Sequence, residues 1–352
     1  MAADKTYLLR INGRGNAWPN PIGQRHPFYS ENNPIDYANA SYSILSFAGP
    51  LHDRDHILWE LLVDAGHGCI PMLLNSFNRI PDALFITHPH FDHILGVDWI
   101  AQSYYRYHNK KKYPLYATVR CWDTMVSMIP HLSQIIEFHE LEYGISVVID
   151  AAPMVTVTAL PVFHGPHALG ASMFFFDLTN DSGHHMKILF TGDVLTPLMK
   201  QADYEMVSGT DILVADSNNR FPYPPCNHWG ICSGMVHSDK AYLVEWRASV
   251  TRDQLFAPHL LASGERPPYF NALSDSSMED MLCTNVFDFV KRVEPRKVLI
   301  VHYGGLEDER YYFDRILTAT ELHQWVKSEA RRIQMDAEFI IPETASIYNL
   351  SK

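Results

Sequence analysis

The segment Thr87-His88-Pro89-His90-Phe91-Asp92-His93 places three imidazoles and a carboxylate in six consecutive positions, and Pro89 limits how that backbone can run. Proline has no amide hydrogen and disfavours the helical region for the residue before it, so His88 to His90 is extended or turning. In an extended chain, side chains two apart point the same way, which lets His88 and His90 grip one ion. Asp92 then stands where an N-cap would precede a helix around Ile94, with His93 beside it. One short loop can thus face two ions, the odd-spaced pair on one and Asp92 with His93 on the other. A HExxH zinc helix differs, because its ligands lie four apart on a helix face.

Two ions need more ligands, and imidazole with carboxylate suits borderline-soft divalent metals. His164 ends the apolar run Val155 to Phe163, Asp193 ends Phe190-Thr191-Gly192-Asp193, and His302 ends Val298 to Val301. In open α/β sheets, ligands gather beyond the carboxyl ends of strands. A single histidine after a strand is ordinarily structural; these three complete one constellation with the first motif. Five imidazoles and two carboxylates suit zinc first, with manganese or iron as alternatives. Asp216, ending the run Val214-Ala215, either bonds a ligand imidazole or caps its loop. His228, in Cys226-Asn227-His228-Trp229-Gly230, is the candidate to protonate a leaving oxygen, because its proline-rich loop can curl over a cleft; the alternative is a loop histidine without catalytic duty. His237 is a weaker rival. Asp92 and His228 form the catalytic set. Cys226, Cys232 and these histidines match no common zinc knuckle. Arg14 either meets a substrate phosphate or is simply solvated. For the aromatics Phe221, Tyr223, Trp229, Tyr269 and Phe270, packing is the favoured account over a pocket wall.

Short apolar runs rich in β-branched residues predict strands over Tyr7–Ile11, Tyr42–Phe47, Ile57–Val63, Ala83–Thr87, Val155–Val162, Ser172–Phe176, Lys187–Phe190, Ile212–Ala215 and Val298–Val301. Helical spacing recurs at Ile94, Val97, Ala101 and Tyr104, at Val286, Phe289, Val290 and Val293, and at Leu322, Trp325, Val326 and Ala330. Strands mixed with helices indicate a layered α/β or α+β chain. No linker splits residues 1–352, so we expect one domain, with an irregular insertion at about 220–280 and a helical extension from about 310. The cluster Lys110-Lys111-Lys112 reads as a solvated loop.

The charge balance of 28 Lys+Arg against 40 Asp+Glu, a net −12, argues against a protein held to nucleic acid by broad phosphate attraction. The amino terminus lacks a secretory signal, which points to the cytoplasm. No window approaches the ~18 apolar residues of a membrane span. Five scattered cysteines, Cys69, Cys121, Cys226, Cys232 and Cys283, read as reduced thiols.

These motifs resemble the metallo-β-lactamase superfamily of dinuclear hydrolases. The matching elements are His88-Pro89-His90-Phe91-Asp92-His93, Phe163-His164-Gly165, Thr191-Gly192-Asp193 and Val301-His302-Tyr303, with the acidic turn Val63-Asp64-Ala65-Gly66 before them; the correspondence runs from about residue 7 to 310. The resemblance implies an αββα sandwich with two metals in a cleft at one sheet edge. His88, His90 and His164 would hold one metal, Asp92, His93 and His302 the other, and Asp193 would bridge them, while Asp64 would support the ligand loop. Ile11-Asn12-Gly13-Arg14-Gly15-Asn16-Ala17-Trp18-Pro19 looks like the glycine loop of the phosphodiesterase branch, which includes tRNase Z and the phosphoribosyl cyclic phosphate phosphodiesterases. Where some members carry cysteines for a structural zinc, Gln24-Arg25-His26-Pro27 stands, so no such zinc is expected.

The leading expectation is a metal-dependent phosphodiesterase acting on a small or nucleotide-like ester. Alternatives are lactone, thioester or amide hydrolysis on the same metals, a tRNase Z-like endoribonuclease, and a metal-binding module without turnover. The expected partner is a small-molecule ester; homo-oligomerisation stays open.

Overall fold

The apolar runs become strands whose alternation decides which layer each side chain joins. The computed structural model describes residues 5–15, 38–49, 53–218, 228–231, 238–302, 305–308, 311–316 and 319–350. The first sheet is laid down by β1 (Thr6–Gly13), β2 (Ser41–Phe47), β3 (Ile57–Val63), β4 (Ala83–Phe85), β5 (Tyr113–Ala117) and β6 (Ile136–Glu140), in that spatial order. β1 to β3 form an antiparallel meander, and β3 to β6 run parallel.

The second sheet repeats the plan. Its strands are β7 (Ser146–Ile149), β8 (Ala152–Phe163), β9 (Ser172–Thr179), β10 (His185–Phe190), β11 (Thr196–Pro197), β12 (Ile212–Asp216) and β13 (Lys297–Val301). β8, β9 and β10 are antiparallel, whereas β10, β12 and β13 are parallel. After a separate pair, β14 (Gly305–Asp308) and β15 (Tyr311–Ile316), the chain returns to both sheets. β16 (Glu338–Ile340) joins the edge beside β13, and β17 (Ile347–Asn349) pairs antiparallel with β1.

Period-two alternation sorts the side chains into layers. Leu61, Val63 and Phe85 from one sheet meet Phe174, Phe176, Phe190, Val214, Leu299 and Val301 from the other in a core between the sheets. Leu62, Leu84 and Ile86 face outward, under Ile94, Val97, Ile100 and Met125 of the helical layer. On the far side Leu189, Leu213 and Ile300 pack beneath Val286, Phe289, Val290, Leu322 and Val326. The result is the expected αββα sandwich.

Several expectations change in detail. The strand expected over Ala83–Thr87 stops at Phe85, because the Thr87 amide leaves the ladder to donate to Asp64 Oδ1 at 2.9 Å. Asp92 is not an N-cap: the helix Phe91–Ile94 is entered from His90, and Asp92 lies within its first turn. The helix expected through Tyr104 is two helices divided at Gly96, whose amide is held by the Ala65 carbonyl at 2.7 Å. The expected carboxyl-terminal helical extension contains the helix Ala319–Arg332 and also the sheet strands β16 and β17, which at three residues each are too short to show a period. Within 220–280 the described residues include the 12-residue helix Ser238–Ser249 and shorter helices after it, and Leu255, Phe256, Phe270 and Leu273 pack on Phe163, Leu195 and Leu198. Lys110 to Lys112 are exposed. Cys69, Cys121 and Cys283 are buried and unbridged. Among the described residues no helix is long and apolar enough to cross a membrane.

Candidate metal centre

β3, β4, β8, β10, β12 and β13 all end at the same edge of the sandwich, and each end delivers an acid or an imidazole. Asp64 follows β3, His88 to His93 follow β4, His164 follows β8, Asp193 follows β10, Asp216 closes β12, and His302 follows β13. The backbone turns away sharply there: Asp64 and His302 adopt φ of 56° and 52°, the left-handed region that few non-glycine residues enter. Gly192 has φ 57°, and a Cβ on it would come within 2.8 Å of the Thr87 side chain, so only glycine lets the Asp193 loop lie against the histidine loop.

The seven ligand candidates converge in two groups that share Asp193. His88, His90, His164 and Asp193 form one, and Asp92, His93, His302 and Asp193 the other, each with its candidate ligand atoms within 4.8 Å of one another. In the first, Asp193 Oδ2 lies 3.6 Å from His88 Nε2 and 3.5 Å from His164 Nε2, while His90 Nδ1 lies 3.1 Å and 3.3 Å from the same two nitrogens. In the second, Asp193 Oδ1 lies 3.3 Å from His93 Nε2 and 3.4 Å from His302 Nε2, and Asp92 Oδ2 lies 3.4 Å and 3.2 Å from those nitrogens.

Whether these residues suit divalent cations is decided by their unshared lone pairs. His93 Nε2 and Asp193 Oδ1 are buried, face each other and have no hydrogen-bond partner. Buried polar atoms are nearly always paired, so this facing pair fits a cation that accepts both.

The tautomers are set from behind. Asp64 accepts from the Thr87 amide at 2.9 Å, from Thr87 Oγ1 at 2.8 Å and from His93 Nδ1 at 2.8 Å. Having given its hydrogen to Asp64, Thr87 Oγ1 can accept from His88 Nδ1, 3.1 Å away. In their neutral forms both imidazoles therefore aim Nε2 inward. Asp64 plays its expected supporting part; Thr87, which carries no chemical signature of its own in the sequence, joins it.

The electrostatics are those of a site with surplus negative charge. Burial pushes the His302 imidazole down, yet Asp193, Asp216 and Asp92 pull it up to about 10. Burial opposes the charge on His93 too, and Asp193, Asp92 and Asp64 overturn it, raising its pKa. For His88 burial wins, seconded by His93, and its pKa falls.

His228 stands at this centre. Its Nδ1 lies 2.8 Å from Asp216 Oδ2, its Nε2 lies 3.9 Å from Asp193 Oδ2, and its ring stacks 5.3 Å from that of His302. Asp216 meets the loop-capping reading, accepting from the Asn218 amide at 3.1 Å, and it holds His228; the ligand imidazole of His302 comes within 3.4 Å at Nδ1 but makes no hydrogen bond there. The Trp229 indole donates to the Asp216 carbonyl at 2.6 Å, so a residue expected only to pack also fixes this loop. Asp193, Asp216, His228 and His302 form a third converging set, overlapping the second.

Other expectations fare differently. Arg14 is neither solvated nor open to a phosphate: it is buried and donates to the Pro342 carbonyl, while its own carbonyl accepts from the His302 amide at 2.7 Å. Trp229, Tyr269 and Phe270 are buried, as packing residues should be. His237, Phe221, Tyr223, Cys226, Cys232, Asn16 to Pro19 and Gln24 to Pro27 lie outside the described residues.

The family model for the Beta-lactamase superfamily domain matches residues 60–260. Among solved structures the fold is similar to that of the metallo-beta-lactamase fold protein YhfI from Bacillus subtilis, with 14% identity, a TM-score of 0.53 and coverage of 98% of this chain and 99% of that one. It is similar also to a diphosphatase from the PhnP family, with 16% identity, a TM-score of 0.54 and coverage of 97% of each chain. A long-form RNase Z from yeast shares it at 12% identity and a TM-score of 0.51, over 99% of this chain and 42% of that one. At such identities the likeness is one of fold. No curated protein matches the chain. With the family domain spanning more than half of its length, and with imidazoles and carboxylates gathered at one sheet edge, the chain belongs to the beta-lactamase superfamily, as a metal-dependent hydrolase.

Proposed function

We propose that this hydrolase is a phosphodiesterase holding two divalent cations, zinc foremost, and cleaving a small or nucleotide-like ester. The observation that carries the reading is the division of Asp193, whose Oδ2 addresses His88 and His164 while its Oδ1 addresses His93 and His302. His88, His90 and His164 would hold one cation, Asp92, His93 and His302 the other, with Asp193 between them. Paired cations supply an acidified water and neutralise charge at a phosphoryl group.

The remaining work falls to side chains of this chain. Asp64 and Thr87 fix the inward nitrogens of His93 and His88 before any substrate arrives. Asp216 holds His228 Nδ1–H, which leaves Nε2 as the nitrogen able to carry a proton to the departing oxygen. Carbonyl chemistry could use the same ligands. A proton donor at this position, together with the resemblance of Ile11 to Pro19 to the phosphodiesterase branch, favours the diester. A chain of net charge −12 is poorly suited to gripping RNA, so the substrate is read as small.

The test is turnover of bis(p-nitrophenyl) phosphate beside a panel of lactones by the zinc-reconstituted protein. Diester turnover is expected to dominate. Lactone turnover without diester turnover would reverse the assignment, and a fully metallated protein inert towards every ester would make it a binding module.

A further inference from the structure

The helices Phe91–Ile94 and Val97–Tyr107 carry an apolar ridge on their outer face. Phe91, Leu95, Trp99 and Tyr107 are each more than half exposed. Steps of four residues bring helical side chains onto one side, and Ser103 fills the one step left between Trp99 and Tyr107. Leu95 and Gly96, between the two helices, keep helical backbone angles, so the ridge runs on across the junction. Trp99, Ser103 and Tyr107 line a groove of about 720 Å³ together with Leu74 of the helix Cys69–Asn75, which is also more than half exposed. Single surface apolar residues need no explanation, whereas five large ones on one face mark a binding surface. The ridge starts at the metal loop, because Phe91 stands between His90 and Asp92.

The charge on this face is opposite to that of the chain. The protein carries a net −12, yet Trp99 to Tyr113 contains Arg106, Lys110, Lys111 and Lys112 and no Asp or Glu. All four cations are exposed. The lysine turn is fastened to the end of the ridge, since the Lys110 amide donates to the Tyr105 carbonyl at 2.8 Å and the Lys111 amide to the His108 carbonyl at 2.9 Å. Lys112 Nζ is held by the Ser133 carbonyl at 3.0 Å. Among the described residues Arg106, Lys110 and Lys111 have no ion pair, whereas the neighbouring acids are engaged, Asp82 with Arg79 at 2.8 Å and Asp98 with His131 Nε2 at 2.7 Å. Arg54, also on the groove, has Asp53 and Asp55 beside it and adds no net positive charge, so the cationic end is the lysine turn.

Lysines beyond a helix end, with tryptophan, tyrosine and leucine along its side, are the make-up of a face that meets a membrane interface. Base stacking would use the rings and the cations but leaves Leu74 and Leu95 without a role. We propose that this face rests on an anionic phospholipid bilayer, its ridge entering the headgroup region and Arg106, Lys110 and Lys111 set against lipid phosphates. The protein lies on such a surface and does not span it: among the described residues no helix is long and apolar enough to cross. The assignment does not depend on the diesterase reading.

The experiment is sedimentation of the zinc-loaded protein with vesicles of phosphatidylcholine alone and of phosphatidylcholine mixed with phosphatidylglycerol. Binding to the mixed vesicles is expected, weakening as salt rises and at least about tenfold tighter than to phosphatidylcholine alone. Combining Arg106→Gln, Lys110→Gln and Lys111→Gln should weaken it about a hundredfold, at about fivefold per cation. Combining Leu74→Ser with Trp99→Ser should weaken it at least about tenfold, with metal content and Tm unchanged. Brominated lipid should quench tryptophan emission in the wild type, and unquenched emission from the bound protein overturns the docking. Absence of binding to the mixed vesicles, or equal binding by all three proteins, overturns it as well. So does a dimer by light scattering that the Leu74 and Trp99 substitutions dissolve, which gives the face to a second copy, and so does tighter binding to a single-stranded oligonucleotide than to the vesicles.

Discussion

Asp193 Oδ1 and His93 Nε2 face each other across 3.3 Å, both buried and neither with a hydrogen-bond partner. Two facing lone pairs of this kind suit a shared cation. Asp193→Asn keeps the shape, removes a negative charge and turns one acceptor into a donor. Bound metal is expected to fall from about two ions per chain to one or fewer, and kcat by about a thousandfold, a loss of several kcal/mol of transition-state stabilisation. Elemental analysis beside steady-state rates checks this; full metal occupancy in the variant would remove Asp193 from the ligand set.

Asp64 reaches no ion itself in this reading. It gathers the Thr87 amide, the Thr87 hydroxyl and His93 Nδ1. Asp64→Asn keeps some of those bonds but no longer enforces the His93 tautomer. Metal affinity should drop about 10–100-fold, measured by competition with a chromogenic chelator, while the fold by circular dichroism is retained.

His228 is predicted to act on the leaving group, which separates it from the ligands. Nitrophenolate departs without a proton, whereas an alkoxide does not. His228→Gln should therefore lower kcat about 10²–10⁴-fold on alkyl esters and less than about tenfold on nitrophenyl esters, and Asp216→Asn should follow the same pattern more weakly. Equal losses across leaving groups, with lowered metal content, would instead make His228 part of the cation cage.

The strands that carry this site were legible because they are buried on both faces. Val298 to Val301 and Ile212 to Ala215 read as continuous apolar runs, and each ends in the residue that matters. β5 and β6 were not legible, since Pro114 interrupts one and Glu137, His139 and Glu140 make the other look like a polar surface, which suits its place at the edge of the sheet. Asp92 was misplaced as a cap for a related reason. A carboxylate near a helix start is ordinarily there for the amides, but here it turns to His302 Nε2, and no side chain caps the helix. Arg14 shows the opposite limit: a loop arginine in the sequence is a buried brace on Pro342, a contact 328 positions away that no local pattern encodes.

A last prediction concerns His259, outside the metal site. Its ring is 1% exposed and bonded to Tyr143, and burial pushes its pKa down to about 3. In the unfolded chain the ring titrates near 6.5. Below pH 6.5 the unfolded state takes up a proton that the folded state refuses, so this contribution to stability is complete above 6.5 and lost as pH falls towards 3. The loss should approach about 1.4 kcal/mol per pH unit, or about 2 kcal/mol between pH 7.5 and pH 5. Denaturant unfolding at those two pH values should show His259→Gln less acid-sensitive than the wild type by that amount. Should the variant fold poorly, the wild-type imidazole can be followed by NMR, and a His259 resonance titrating near pH 6.5 in the folded protein would contradict the burial argument.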